Sequence, residues 1–285
     1  DTVQRGFMFE YVEVDYDAFV EKMRDRRAGE LRGALQAFCK GFMERPKPGR
    51  EEARDMVQDF VAEMELRMAE HPLWKDLDGD QLEDAFESLE RYVVTRLHTR
   101  VFAPDMETRS KDASLRMRIA KLQFIHPDHL DVPEACRHEE AWSKAVTCLQ
   151  RVSEVITPKE KIDAVLEASE HIYSAPMLNG FNRPVSADEY LPILVCILLR
   201  ANPPELQSNV DYVSSYRSRA RMTGQGAYFF THLAGAVYFI ETLDASRLSI
   251  DAQLFERLMA DDDENIYAFV SDGQSPLAVG APKSR

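Results

Sequence analysis

Apolar residues recur every three to four positions over most of this chain, which is the spacing of one face of an α-helix. These stripes begin at Leu31, Met56, Leu82, Leu115, Trp142 and Ile162. No segment shows a convincing alternation of apolar and polar residues, as a half-buried β-strand would. The pattern therefore predicts an all-α protein whose helices each bury one face in a layered arrangement.

Proline- and glycine-containing breaks divide the stripes into two groups. R-P-K-P-G at 45–49, His71-Pro72 and Pro104 separate the early stripes. The segment 126–138, H-P-D-H-L-D-V-P-E-A-C-R-H, is expected to be a polar, solvated connector. We therefore predict an N-terminal helical bundle over residues 1–140 and a second helical domain over residues 141–260. Residues 261–285 are expected to form an acidic and then disordered tail.

The stretch from Ser186 to Leu199 is the most informative part of the second domain. Ser186 and Glu189 have the spacing of a capping box, which predicts that a helix starts there. The run Leu191–Leu199 is apolar on nearly all sides, as in a buried helix. Pro192 has no N–H for the carbonyl of Asp188, so we expect a kink where this first-turn acid is displayed.

Three further helix starts follow from capping residues in the second domain. Thr157 and Glu160 form another capping box, with proline at the first helical position. Asn202 is expected to cap a helix that Pro203 starts, and Thr223 is expected to cap the next one.

Charge and cysteine usage narrow the classes of function. Lys and Arg number 35 against 49 Asp and Glu, a formal charge of −14. This balance argues against a nucleic-acid partner and against anionic membranes, because both need clustered positive charge. It suits a partner with a basic face. The four cysteines form no C-x-x-C pair, which favours a reducing cytoplasm.

Membrane insertion and secretion are not expected either. The longest apolar run, Leu191–Leu199, is too short to span a bilayer, so we predict no transmembrane segment. The opening D-T-V-Q-R-G has no initiator methionine and does not resemble a signal peptide, which favours a trimmed fragment.

Two segments invite a metal-site interpretation. Acids in the segment Asp76–Glu87 fall at several ligand positions of a calcium loop, but Gln81 occupies the position that needs glycine. Helix capping by Asp78 or Asp80 is the simpler explanation. The connector contains candidate zinc ligands at positions without the spacing of a structural site: His126, His129, Cys136 and His138. We therefore predict no metal and no cofactor.

Motifs for covalent catalysis and phosphate binding are also missing. The sequence contains no recognisable Ser-His-Asp arrangement, no P-loop and no G-x-G-x-x-G. An acid beside an apolar groove on a helical protein is, from the residues alone, typical of a protein-binding module.

Several segments of the second domain resemble the signature of the Vps-nine domain family. They are S-A-D-E-Y-L-P (Ser186–Pro192), A-N-P-P-E-L-Q-S-N (Ala201–Asn209), M-T-G (Met222–Gly224) and A-Y-F-F-T (Ala227–Thr231). The upstream segments His71–Trp74 and Leu89–Phe102 resemble the helical bundle of Rabex-type and especially plant-type members. The resemblance covers roughly Tyr11 to Ala260. His232 departs from the family pattern, which usually has asparagine there.

The resemblance implies guanine-nucleotide exchange on a Rab GTPase of the Rab-five class, without covalent chemistry. Such a domain grips the switch regions of the GTPase in an apolar groove and inserts an acidic finger beside the nucleotide. Asp188 matches the finger. The matching GTPase-binding positions are Pro192, Asn202, Pro203, Gln207, Asn209, Tyr228 and Thr231. The implied location is the cytoplasm, with recruitment to early endosomes or trans-Golgi membranes.

Two alternatives remain open from the sequence. One is a helical scaffold that binds a GTPase or another helix without promoting exchange. The other is a metal-dependent hydrolase built on the connector from His126 to His138.

Overall fold

The protein is all-helical over the described part of the chain. A computed structural model describes residues 14–260, which form helices and turns and no β-strand. The predicted tail at 261–285 lies outside the described residues. The first helices are α1 (Tyr16–Arg24), α2 (Gly29–Glu44), α3 (Arg50–Glu70) and α4 (Gly79–Val101). They are followed by α5 (Met106–Lys121), α6 (Glu139–Arg151), α7 (Pro158–Leu178), α8 (Ala187–Ala201), α9 (Leu206–Tyr216), α10 (Gly224–Thr242) and α11 (Ala252–Ala260).

Helices α1 to α4 enclose a first apolar core. The stripes predicted from Leu31, Met56 and Leu82 turn their buried members toward one another in this core. Asp78 caps α4, because its carboxylate accepts a hydrogen bond from the backbone N–H of Gln81 at 2.8 Å. This contact confirms capping by Asp78 in the acid-rich segment. Tyr212 and Tyr216 of α9 complete the core, so the two halves of the chain interlock.

A second core is organised around α8. Every residue from Ile193 to Leu199 is buried, which confirms the prediction of a helix enclosed on all sides. Helices α6, α7 and α10 surround it. This core begins within α5, at Leu115, and it includes buried residues of the connector. The cores therefore group α5 and the connector with the second domain, whereas the predicted boundary at residue 140 places them in the bundle.

The connector is more buried than we predicted. It forms two short 3₁₀ turns, Pro127–Leu130 and Glu134–Cys136. Leu130, Val132 and Cys136 are buried in the second core, so the expectation of a solvated loop is wrong for these positions. The physical reason is that apolar side chains spaced along a turn-rich segment can each reach the core without regular periodicity.

The predicted start of α9 at Pro203 is also wrong. Asn202 instead ends α8 in the left-handed conformation, with φ of 37°, and α9 begins at Leu206. Pro203 precedes Pro204, and a residue before proline is disfavoured in the α-helical region. The two prolines therefore delay the helix, and asparagine tolerates the left-handed turn that redirects the chain.

An ionic network joins the bundle to the second domain. Arg217 and Arg221 follow α9 and are almost fully buried against three glutamates: Glu65 of α3 and Glu87 and Glu90 of α4. Burial disfavours the charged form of Arg217, but hydrogen bonds and attraction from the glutamates raise its pKa above the ordinary value. The network fixes the segment that leads into α10.

Among residues 14–260, no helix has the combination of length and apolar composition that crossing a bilayer requires.

Candidate functional site

The start of α8 is held by a glutamate and an arginine. Glu189 accepts a hydrogen bond from the backbone N–H of Ser186 at 2.8 Å, as the capping box predicts. Arg183, in the preceding loop, donates to both carboxylate oxygens of Glu189 at 2.7 and 2.8 Å. These contacts, led by the one with Arg183, lower the pKa of Glu189 to about 2. Sequence reasoning missed Arg183, because the partner of an exposed loop arginine cannot be inferred from its position.

Asp188 precedes Glu189 in the chain and is exposed. Within residues 14–260 its carboxylate has no hydrogen bond and no ion pair. The two acids of the first turn therefore differ: Glu189 stabilises the helix start, while Asp188 presents a free negative charge.

Pro192 lies within α8, one turn beyond Asp188. The helix continues through it from Ala187 to Ala201, and the proline ring is partly buried. Because proline has no N–H, the carbonyl of Asp188 has no helical donor at this position. The expected kink stays a prediction, and the backbone carbonyl and the carboxylate of Asp188 both add negative potential at this helix end.

Helix α10 packs against α8 and carries the other two residues that were predicted to line the groove. Thr223 is its N-cap residue, as predicted, although its side chain makes no capping hydrogen bond. Tyr228 and Thr231 are both exposed and lie three residues apart, hence on one side of the helix. At Gly226, an added Cβ would lie 2.7 Å from Ile162 Cγ2 of α7, so the absence of a side chain allows α10 to approach α7 closely.

An aromatic cluster connects α8 to the exposed tyrosine of α10. Tyr190, two residues after Asp188, contacts Phe229 and His232, both with ring centroids at 5.3 Å. The His232 ring lies 4.5 Å from that of Tyr228. Tyr190 also exchanges a 2.7 Å hydrogen bond with Ser169 of α7. These contacts pack the start of α8 against the part of α10 that carries Tyr228, and the His232 ring lies between the two tyrosine rings.

Exposed apolar side chains lie on the segment that leads into α8. Met177 and Leu178 at the end of α7, and Phe181 in the loop before α8, are each about half exposed. Asn179 anchors the loop, because its side chain donates to the carbonyls of Ala135 and Arg137 at 3.0 Å. The start of α8 is therefore approached by an apolar, solvent-facing segment with a fixed base.

The structure does not bring the segment Asn202–Asn209 to Asp188. Asp188 is the second residue of α8 and Asn202 is its C-cap, which places them about 20 Å apart at the helical rise of 1.5 Å per residue. Pro203 is buried, and Asn209 is 1% exposed. Because their side chains lie inside the protein, their burial does not support direct GTPase contact by these two residues, and that contact stays a prediction. Asn202 and Gln207 are partly buried, and their predicted contact with a GTPase remains a prediction.

Asn209 instead forms part of a buried lysine site that the sequence analysis missed. Lys161 of α7 is 1% exposed and donates to Asn209 Oδ1 at 2.7 Å and to the carbonyl of Val152 at 2.8 Å. Its ammonium also lies 5.5 Å from the ring centroid of Phe102, at the end of α4. A signal was present in the sequence, because Lys161 lies four residues before Val165 on the apolar stripe of α7.

The zinc site considered for the connector does not form. The N–H of His126 donates to Nδ1 of His129 at 3.1 Å, and Nδ1 of His138 accepts from Ala141 to cap α6. Cys136 is fully buried. Among the described residues, these four side chains do not converge as a ligand group. The hydrolase alternative therefore has no support in this geometry.

Two family models match segments of this chain. The model of the vacuolar sorting protein 9 (VPS9) domain matches residues 142–245, which extend from α6 past the end of α10. The chain is a member of the VPS9 domain family. A domain of unknown function (DUF5601) matches residues 34–98, within α2 to α4. The VPS9 match thus contains Asp188, Tyr228 and Thr231, and the second match falls within the bundle.

Relatives from plants, animals and fungi resemble most of the chain. Vacuolar protein sorting-associated protein 9A of Arabidopsis thaliana is 35% identical over 247 residues, covering 85% of this chain and 47% of that protein. The Rab5 GDP/GTP exchange factor of Homo sapiens is 32% identical over 239 residues, covering 81% of this chain and 47% of that protein. The vps901 protein of Schizosaccharomyces pombe is 27% identical over 253 residues, covering 85% of this chain and 44% of that protein. The chain spans about half the length of these relatives.

Lys161 gives the VPS9 domain an expected pH dependence. Burial lowers its pKa from 10.5 to about 8, because desolvation outweighs attraction by Glu160 and Glu205. Between these two pH values the unfolded chain binds more protons than the folded one, so this residue makes stability rise with pH. We expect the gain to be about 3 kcal/mol over the full window.

Urea unfolding of the unmodified protein and of the Lys161→Met variant measures this effect. Because buried tyrosines and cysteines titrate in both proteins, the difference between the two pH profiles isolates Lys161. We expect the difference to grow between about pH 8 and 10 in favour of the unmodified protein. Parallel profiles would show that Lys161 keeps its ordinary pKa in the fold.

Proposed function

We propose that this chain promotes GDP release from a Rab GTPase of the Rab5 class. The free carboxylate of Asp188, exposed in the first turn of a buried helix, carries the proposal. The human relative is named a Rab5 GDP/GTP exchange factor, and membership of the VPS9 family supports the same activity. The partner enters with GDP bound and passes through a nucleotide-free complex.

The proposed mechanism is electrostatic. Asp188 would enter the nucleotide site of the GTPase, where its charge repels the β-phosphate, competes for the P-loop lysine and leaves no room for Mg²⁺. Two unit charges about 4 Å apart repel by about 4 kcal/mol at an effective dielectric constant near 20. This energy corresponds to roughly three decades in a dissociation rate. No covalent bond forms or breaks in the protein.

The surroundings of Asp188 suit this role. Arg183 is bound to Glu189, so the nearest arginine of the loop is already paired. Tyr228 and Thr231, together with Pro192, would form the groove that receives the switch regions. The formal charge of −14 favours approach of a partner through a basic face.

Cellular location follows from the same proposal. A Rab5-class substrate implies action at early endosomes, and the plant relative's name refers to vacuolar sorting. We therefore propose recruitment to endosomal or trans-Golgi membranes from the cytoplasm.

Release of fluorescent GDP from a panel of purified Rab proteins tests the function. The rate should rise with the concentration of this chain for one or more Rab5-class members and not for distant Rab proteins. A substoichiometric amount should suffice, because exchange is catalytic. If the chain binds a nucleotide-free GTPase but leaves the release rate unchanged, it is a scaffold and the proposal is wrong.

The groove makes a separate prediction at Tyr228. This side chain is 46% exposed, so Tyr228→Ala should leave the helical content unchanged. Loss of an aromatic anchor at an interface typically costs about 2 kcal/mol or more, or roughly 30-fold in affinity. We therefore expect weaker binding to the nucleotide-free GTPase by about this factor in a titration calorimetry measurement.

Tyr238→Ala is the matched control for that experiment. Tyr238 lies on the same helix, is 66% exposed and is separated from Tyr228 by nearly three turns. The Tyr238→Ala variant should bind the GTPase with unchanged affinity. Equal affinities for the two variants would remove Tyr228 from the proposed groove.

A further inference from the structure

Three side chains of metal-binding type meet between α6 and α7. Cys148 belongs to α6, and Glu167 and His171 lie one turn apart on α7. One ligand atom from each, the Cys148 Sγ, a Glu167 carboxylate oxygen and a His171 ring nitrogen, lies within 4.8 Å of the other two. The prediction of no metal considered two other segments, and neither contains these residues.

We propose that Cys148, Glu167 and His171 bind one zinc ion, with water as the fourth ligand. A thiolate, an imidazole and a carboxylate together are ligands that zinc accepts, whereas calcium and magnesium prefer oxygen alone. Zinc bonds of about 2.0–2.3 Å place tetrahedral ligand atoms roughly 3.5 Å apart. Closing the observed triangle to that size requires side-chain movements on the order of 1 Å, without movement of the helices.

The neighbours of the three residues suit a metal site. Arg151 donates a hydrogen bond to Glu167 and thereby orients the carboxylate, as residues around a metal site commonly do. The Sγ atom of Cys148 lies within 4.8 Å of an oxygen of the same carboxylate. Zinc would replace the proton of the Cys148 thiol, because a cysteine ligand binds as the thiolate.

The burial of the three residues and the packing of their helices also suit a metal site. Cys148 is 5% exposed, while Glu167 and His171 are partly exposed, so an ion can enter from solvent and bind beside a protected sulfur. Ala145 of α6 and Ala168 of α7 are completely buried in the same core. The two helices are thus closely packed and hold the ligands on a rigid base, which favours a site of defined geometry.

The bound ion would fasten α6 to α7. Because a metal that binds the folded state stabilises it by mass action, zinc should raise the melting temperature of the protein. The metal site does not include Asp188, so the zinc proposal can be tested independently of the proposed exchange function.

Cobalt and zinc titrations of the metal-free protein test the proposal. Co²⁺ should give a thiolate charge-transfer band and visible bands of a four-coordinate ion at one equivalent, and Zn²⁺ should abolish both spectra. His171→Gln, at a partly exposed position, should weaken zinc binding by more than the roughly 10–100-fold that loss of a supporting residue causes. Cys148→Ser should remove the charge-transfer band.

His126→Gln is the control, since His126 is an exposed histidine outside the cluster. It should bind zinc as the unmodified protein does and show the same rise in melting temperature. An absent charge-transfer band, or equal zinc affinities for His171→Gln and His126→Gln, would overturn the proposal. If Cys148→Ser does not fold, the His171→Gln comparison decides the question alone.

Discussion

Replacing Asp188 by asparagine should slow GDP release by about two to three orders of magnitude at saturating protein. Asparagine has nearly the shape of aspartate but no charge, so the groove stays intact while the repulsion disappears. The variant should still bind the GTPase, now with GDP retained in the complex. Stopped-flow release of fluorescent GDP at saturating concentrations measures the effect, because saturation separates the release step from binding.

Asp17→Asn provides a closely matched control. Asp17 is exposed and occupies the second position of α1, as Asp188 does in α8. Either substitution removes a favourable charge–dipole interaction of about 0.3–1 kcal/mol, so both should affect stability to this small extent. Only the change at Asp188 should affect exchange. Equal release rates for the two variants would show that Asp188 contributes to helix stability alone.

Replacing Arg217 by methionine should cost about 3–5 kcal/mol of unfolding free energy, since it removes the arginine that is hydrogen-bonded to both Glu87 and Glu90 in a nearly buried network. Arg217 is 7% exposed and pairs with Glu87 and with Glu90, the latter at 2.9 Å. Glu90 also accepts from the N–H of Ser218 at 2.9 Å, so the loss reaches the backbone that leads into α10. Urea unfolding, followed by circular dichroism, gives the free energy directly.

Two comparisons define what that loss means. Arg217→Lys keeps the charge but cannot form two parallel hydrogen bonds. Its loss of unfolding free energy should therefore lie between zero and that of Arg217→Met. Lys144→Met removes an exposed ion pair with Glu140 and should cost less than about 0.5 kcal/mol. If Arg217→Met costs no more than Lys144→Met, the junction does not depend on this network.

Local sequence patterns predicted the elements of the VPS9 domain well. The capping residues at Ser186 and Thr157 are where α8 and α7 begin, because a helix start is determined by side chains within one turn of it. The enclosed position of α8 also followed from its composition. The start of α9 differs from its prediction, because Pro204 disfavours the helical conformation at the preceding residue.

Motif resemblance identified the family but did not separate the roles of the matching positions. Asp188, Tyr228 and Thr231 are exposed, whereas Pro203 and Asn209 are buried. A motif treats both groups alike, because it records positions along the chain and carries no information on burial. Asn209 is instead explained by Lys161, whose ammonium it accepts.

The sequence by itself determined the helical class, most helix starts and the buried position of α8, since each depends on residues a few positions apart. Tertiary structure decided which of the two first-turn acids is free, because Arg183 pairs with Glu189 and not with Asp188. It also decided that Cys148 meets Glu167 and His171, and that Arg217 meets Glu90. Such pairs depend on how helices pack against one another, and a helical period specifies the buried face of each helix but not the residue it faces.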